Sequence, residues 1–380
     1  MFDARLSRLT KPILVALLFA GLALCACAGA RGWPGTQIEG GTLYVGTMDG
    51  RVLALNPGSG ATIWEWKPEA KGNQTSSFLG CSGAGSGGQF TAGTFYGPPV
   101  IANDVLYTAR YGGEVYAVDI TGRVEEWRYN IGSSIAGGVV VADNTVFVGS
   151  SNGKLSALYA GNGSLKWEFP TANEIWTTPA VADGVVYFGS LDHDLYAIDA
   201  ETGKLKWEKP FETGGAIGST PLVVDGTVYV GSFDSKFYAI YADTGKPKWA
   251  RPFEAGNWFW TQAAYSNGTV YVGCLDSKVY AIDAGNGTSA WPQPFNANSP
   301  VKASPVIAGG VLVVASEQGK VYGLDPTTGQ EKWPSIDLGS KALGSMCTDG
   351  DRAFINGQRD RVYALDGNTG QQLWSVPLVK

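Results

Sequence analysis

Apolar and polar positions along the chain repeat in one short pattern, clearest from Val185 to Trp207, VVYFGSLDHDLYAIDAETGKLKW. VVYFGS and DLYAIDA are alternating runs of β-branched and aromatic residues, the pattern of half-buried strands, and LKWE reads as a third. LDHD and AETG between them carry the Asp and Gly that tight turns prefer. The preceding stretch, WTTPAVADG, ends in Asp-Gly and adds a fourth strand. Four strands in about forty residues make one propeller blade.

The unit recurs eight times. Each copy closes on a tryptophan: Trp64, Trp127, Trp167, Trp207, Trp249, Trp291, Trp333 and Trp374. Eleven residues before each stand Leu53, Tyr116, Ser156, Tyr196, Tyr238, Tyr280, Tyr322 and Tyr363, followed by Ala in seven copies and by Gly323 in the remaining one. Successive tryptophans are 40 to 42 residues apart, except for 63 between the first two. A lone four-stranded sheet leaves apolar faces and unpaired edges exposed, whereas eight sheets packed face to face in a ring bury both faces of each. The expected fold is therefore all-β: a single eight-bladed β-propeller of four-stranded antiparallel blades over 28–380, preceded by an N-terminal signal segment. Within each blade the inner strand comes first and the strand carrying the tryptophan last, with the large indole plugging the space between sheets. A glycine four residues before the tryptophan (Gly60, Gly163, Gly203, Gly245, Gly287, Gly329, Gly370) lets the turn bend, and the second copy departs with Gly122 five residues before Trp127. A Gly/Ser-rich insertion at 67–94, GCSGAGSGG around Cys81, follows the first copy and reads as a functional lid or a tolerated loop.

Charged residues are only 16% of the chain, which argues against long surface helices; a net charge of −6 without a Lys/Arg cluster in the repeats argues against a nucleic-acid partner. Arg5, Arg8 and Lys11 precede an apolar run at 13–24 that is too short to span a membrane. The run ends in Leu24-Cys25-Ala26-Cys27, which resembles a bacterial lipoprotein processing box. Residues 1–27 then read as a lipoprotein-like signal peptide, with lipidation at Cys27 and an extracytoplasmic, membrane-anchored product. Ordinary cleavage after Ala28 or Ala30, giving a secreted or periplasmic soluble protein, is the alternative. Cys81, Cys274 and Cys347 form no CxxC or adjacent pair, and His193 is the only histidine, so haem, iron–sulfur and zinc chemistry are unsupported. Cys274 stands where Ser190 and Ser232 stand in other copies, and reads as a small buried residue or a partner for Cys81.

Motifs such as YAIDAETGKLKW and VYVGSFDSKFYAIYADTGKPKW resemble the tryptophan-docking repeats of the pyrroloquinoline quinone (PQQ)-like β-propeller family, over residues 33–375. That family includes quinoprotein dehydrogenases and the BamB-type propeller lipoproteins of outer-membrane protein assembly. The resemblance is closer to the latter, because the adjacent cysteines of the alcohol-oxidising branch are missing. It implies a protein partner at the cell envelope. It also leaves PQQ with calcium as the cofactor of an oxidoreductase reading, for which Glu174, Asn257 and Arg110 are the nearest candidates.

Aligning the copies puts Trp33, Tyr96, Ala136, Trp176, Gly218, Trp260, Lys302 and Leu343 in one column at the blade entrance. Three of the five tryptophans outside the docking set fall in this column, and Trp258 is two residues from Trp260. Trp33, Tyr96, Trp176 and Trp260 are expected to ring one mouth of the central channel, with Trp258, Arg110, Gln262 and Lys302 on the same face. Flat rings suit a planar ligand, a glycan or peptide side chains, and equally suit a structural plug. Arg110 and Lys302 would neutralise an anionic ligand, or each is a solvated loop charge; His193 reads as a turn residue. The leading expectation is a non-catalytic, membrane-tethered interaction scaffold. Small-ligand or glycan binding at the aromatic funnel and PQQ-dependent oxidation are the alternatives.

Overall fold

The computed structural model describes residues 35–69, 93–358 and 361–378. Every regular element among them is a β-strand, and the strands form eight four-stranded antiparallel sheets of consecutive strands. Blades 1 to 8 span 36–66, 100–130, 139–170, 180–212, 222–254, 264–296, 306–337 and 347–377. First strands of neighbouring blades touch, as Ala180–Ala182 touches both Val139–Ala142 and Leu222–Val224, so the inner strand comes first. Thr36–Glu39 meets the first two strands of blade 8, and Leu43, Val45, Leu53 and Leu55 share a core with Phe354, Val362 and Trp374. The ring is thus a closed eight-bladed propeller, each blade drawn from one repeat. The expected signal segment and most of the insertion lie outside the described residues.

Alternation explains the packing. In blade 4, Val185, Tyr187, Leu195 and Ala197 pack with Ile217, Val228 and Val230 of blade 5, while Val186, Phe188, Tyr196 and Ile198 pack with Phe147 and Leu155 of blade 3. Neighbouring residues point to opposite faces, and both faces are core.

The docking tryptophans reach forward into the next blade. Trp207 donates from Nε1 to the Ala242 carbonyl at 2.9 Å, Trp249 to Ala284 at 3.1 Å and Trp291 to Pro326 at 2.8 Å. Trp374 closes the ring in the same way, onto Pro57 at 3.0 Å. Seven of the eight rings rest on the turn glycine of the next blade: a Cβ on Gly245 would lie 2.6 Å from Trp207, and Gly245 has φ +70°. The glycine therefore serves twice, as the left-handed turn residue and as the floor under the preceding indole. At the first junction Arg123, at φ 59°, occupies the left-handed position four residues before Trp127.

One expected strand is absent. LKWE at 205–208 is not a strand: Leu205 makes an isolated bridge to Ile198, and the fourth strand of blade 4 is Phe211–Glu212. Blades 5 and 6 repeat this, with Phe253–Glu254 and Phe295–Asn296. Blade 3 instead keeps a continuous Leu165–Pro170 through Trp167. The cause is length. In blade 3, Phe169, two residues after its tryptophan, pairs with Leu155, whereas in blade 4 Phe211, four residues after its tryptophan, pairs with Leu195. The two extra residues, with a proline immediately before the phenylalanine, loop out of the ladder.

Blade 7 has a packing variation of its own. A Cβ on Gly323 would lie 1.9 Å from Trp333 Cε2, and the register of the third and fourth strands shifts on both sides of Gly323. Trp333 has sunk into the space that an alanine methyl fills in the other copies. Gly323→Ala, although it restores the majority residue, should destabilise the fold by about 1–2 kcal/mol through overpacking. Urea unfolding checks this; unchanged or raised stability would show that the indole readily moves back.

The core is also rich in buried phenols. Burial pushes Tyr96, Tyr187 and Tyr229 up to about 12. Burial, then hydrogen bonds to Asp192, Asp234 and Asp276, push Tyr196, Tyr238 and Tyr280 up as well. A phenol whose folded pKa lies above its unfolded value of about 10 contributes stability that is complete below pH 10 and is lost as pH rises through the folded value. The protein should therefore unfold cooperatively in alkali above about pH 10, with phenolate absorbance appearing together with the tryptophan fluorescence change. Smooth phenolate titration near pH 10 without unfolding would contradict this.

Candidate functional site

Chain entering a blade crosses the face that also carries the turns between second and third strands. In blades 4, 5 and 6 an aspartate in that turn fastens the incoming chain. Asp192 accepts from Ala172 N at 2.9 Å and Tyr196 OH at 2.8 Å. Asp234 accepts from Gly214 N at 2.9 Å and from Tyr238 OH, and Asp276 from Gly256 N at 3.0 Å and Tyr280 OH at 2.5 Å. His193, at φ 82°, sits in the left-handed position of the blade 4 turn, as a turn residue would.

The crossover at 257–261 is thereby held extended, and its side chains alternate. Phe259 is fully buried between blades, where Gly231 leaves room for it; Trp258 and Trp260 on either side point the other way and are half-buried. Phe233, from the turn of blade 5, stacks on both indoles: on Trp258 at 4.7 Å and 14°, and on Trp260 at 5.4 Å and 8°. Gly218 permits this, since a Cβ there would come within 2.6 Å of the Phe233 ring. Trp176 of blade 4 reaches over the same gap to Trp260, with centroids 6.4 Å apart. Its indole donates to Glu174 Oε2 at 2.5 Å. The glycine in the entrance column of blade 5 thus lets rings of blades 4, 5 and 6 meet.

Of the sequence-predicted residues, Trp176, Trp258 and Trp260 come together. Tyr96 is elsewhere, stacked on Tyr111 at 4.9 Å, and Trp33 lies outside the described residues. Gln262 donates to the Pro221 carbonyl at 3.3 Å. Lys302 pairs with Glu317 at 3.0 Å, and Lys341 pairs with the same carboxylate at 3.2 Å. Against a burial that would raise it, these two cations hold Glu317 below its ordinary range. Arg110 is mostly buried: it donates to the Gly50 carbonyl at 3.1 Å, lies 3.7 Å from Glu114, and covers the rings of Phe95 and Tyr116. Neither cation is a solvated loop charge. Cys274 is a buried free thiol, pushed up to about 12 by burial, as a small core residue would be. Cys27 and Cys81 lie outside the described residues.

Phe233 was not among the candidates, although a second column would have shown it. The second residue after the end of the second strand is Tyr111, Phe233 or Glu317 in blades 2, 5 and 7. These are the partners of Tyr96, Trp260 and Lys302 in the entrance column.

The residues nearest to a quinone site do not assemble one. Arg110, Glu174 and Asn257 belong to blade 2 and the entrances of blades 4 and 6. They are engaged with the Gly50 carbonyl, the Trp176 indole and the Trp258 backbone N–H. Among the described residues no three His, Cys, Asp or Glu side chains gather as metal ligands. These residues do not fit a quinone with its calcium.

Eight blades, each packed on the next through a tryptophan, with seven of those indoles resting on a turn glycine, define a PQQ-like propeller. The family model described as outer membrane protein assembly factor BamB matches residues 26–134, 112–258 and 254–380, and the chain belongs to that family. Two solved structures are similar in fold. The computationally designed Ika8 protein aligns with TM-score 0.70 at 15% identity, over 87% of this chain and 95% of its own. BamB from Moraxella catarrhalis aligns with TM-score 0.65 at 20% identity, over 74% of this chain and 87% of its own. No curated protein matches the sequence.

Proposed function

We propose that this chain is a non-catalytic, extracytoplasmic protein-interaction scaffold, tethered to a membrane through Cys27 and acting in an envelope or outer-membrane protein assembly complex. The observation that carries this reading is the family match, which runs through all eight blades under the description of an outer membrane protein assembly factor. The basic start, the short apolar run and the Leu24–Cys27 box supply the tether. Half-buried rings of Trp176, Trp258 and Trp260 supply the docking face, since aromatic side chains are enriched where protein partners bury surface.

Three experiments test the proposal. Cys27→Ser should move the protein from the membrane to the soluble extracytoplasmic fraction; a variant that stays membrane-bound and unprocessed would make the apolar run an uncleaved anchor. A photo-crosslinking residue at position 258 should trap an envelope protein in cells, and one at exposed Leu373 should not. Dye-linked alcohol or sugar oxidation by the purified protein with added PQQ and calcium would overturn the non-catalytic assignment.

A further inference from the structure

The aromatic pile sits in an acidic sector. Face segments of blades 4 to 6 (172–176, 191–194, 212–218, 233–236, 254–260 and 275–278) hold seven carboxylates against two cations, Lys236 and Lys278. Lys236 is 3.9 Å from Glu254, a loose pair. Burial, then the charges of Asp192 and Glu212, push the Asp194 carboxyl up, as expected where like charges crowd. Glu174 lies against the Trp176 indole and is only half-buried. The next sector of the same face, at blades 7 and 8, differs, since Lys302 and Lys341 there outnumber Glu317. Negative charge and flat rings therefore coincide in one sector of the ring.

A carboxylate beside an exposed π-face is the chemistry that holds a cation: the ring quadrupole attracts it, and the acid supplies charge without covering the ring. Arginine fits best, because its planar guanidinium lies flat on an indole while its edge donates to a carboxylate. We propose that the Trp258–Phe233–Trp260–Trp176 pile docks a basic, extended protein segment, with an arginine resting on the indoles and paired to Glu174. This rests on the scaffold reading above and names the chemistry of its partner.

Blocked peptides of the form Gly-Arg-Gly-Arg-Gly, and counterparts with lysine or citrulline in place of arginine, test it on the purified protein, followed by tryptophan fluorescence at low and moderate salt. The arginine peptide should bind, weakening as salt rises. Its lysine counterpart should bind more weakly, and the citrulline peptide, of nearly the same shape without charge, should not bind. Trp258→Ala should weaken arginine-peptide binding about three- to thirty-fold. Glu174→Gln, which keeps size and hydrogen bonding, should weaken it and flatten its salt dependence. Both variants should melt at the wild-type temperature. Equal binding of citrulline, indifference to Trp258→Ala and Glu174→Gln, or no peptide binding would each overturn the proposal. Such failure with crosslinking at position 258 intact leaves the scaffold reading standing with a non-basic partner. Loss of crosslinking and of the tether removes the scaffold reading instead.

Discussion

Trp207→Ala is expected to lower the unfolding free energy by about 3–5 kcal/mol, the cost of truncating a large buried side chain and leaving a cavity. Trp207 is 4% exposed and joins a core drawn from blades 4 and 5. Its hydrogen bond is the smaller part of that loss. The Ala242 carbonyl that it reaches also accepts from Tyr187 OH at 3.1 Å, and the Tyr187 and Trp207 rings lie 5.9 Å apart. Removing the indole N–H therefore leaves no orphaned carbonyl. Trp207→Phe should cost clearly less than Trp207→Ala, because most of the ring volume stays. Denaturant unfolding of the two variants separates the terms; a loss below about 1 kcal/mol for Trp207→Ala would mean that the blades collapse onto the gap.

Blade number, blade boundaries and the docking residues were legible in the sequence because one invariant offset, eleven residues, marks each copy. The spacing also held the interruption of the fourth strand. Copies closing at 42 residues carry two more residues than those closing at 40, and the extra pair falls between tryptophan and phenylalanine in blades 4 to 6. Composition alone made LKWE look like a strand there, since the loop-out depends on register with the neighbouring strand and not on residue type. The aromatic site was half legible. One column placed Trp176 and Trp260, but contact between them depends on Gly218 being small and on Phe233 filling the gap from a different column. Arg110 and Lys302 could not be placed from a column at all. Long side chains carry their charges several ångströms from the backbone position that an alignment fixes, here onto the Gly50 carbonyl and Glu317.

Gly231→Val is expected to cost about 3 kcal/mol, and the reason lies in how the blades meet. The residue that precedes the entrance column packs against the end of the second strand of the preceding blade. Ile175 does so on Gly149, Ile217 on Gly189, Phe259 on Gly231 and Val301 on Gly273, with a hypothetical Cβ only 2.1–2.3 Å from the incoming side chain. Where the strand end is Ala315 instead of glycine, the incoming residue is Ala342, and both are fully buried. Volume is shared at these five junctions: the large incoming side chains face glycine, and a methyl on one side is matched by a methyl on the other, whereas Ala109 facing Ile135 in one buried core departs from the rule. A valine at 231 would overlap the Cβ of Phe259, which belongs to the crossover that carries Trp258 and Trp260, so the blade 6 entrance must move. Phe259→Gly, which removes the Cβ as well as the ring, should open the space, and the double variant Gly231→Val with Phe259→Gly should be more stable than the sum of the single losses by at least about 1 kcal/mol. Additive losses would mean that the two residues do not share this volume. The same shift should disturb the Trp258–Phe233–Trp260 stack, so tryptophan fluorescence of Gly231→Val should change in the native state and return towards the wild-type spectrum in the double variant.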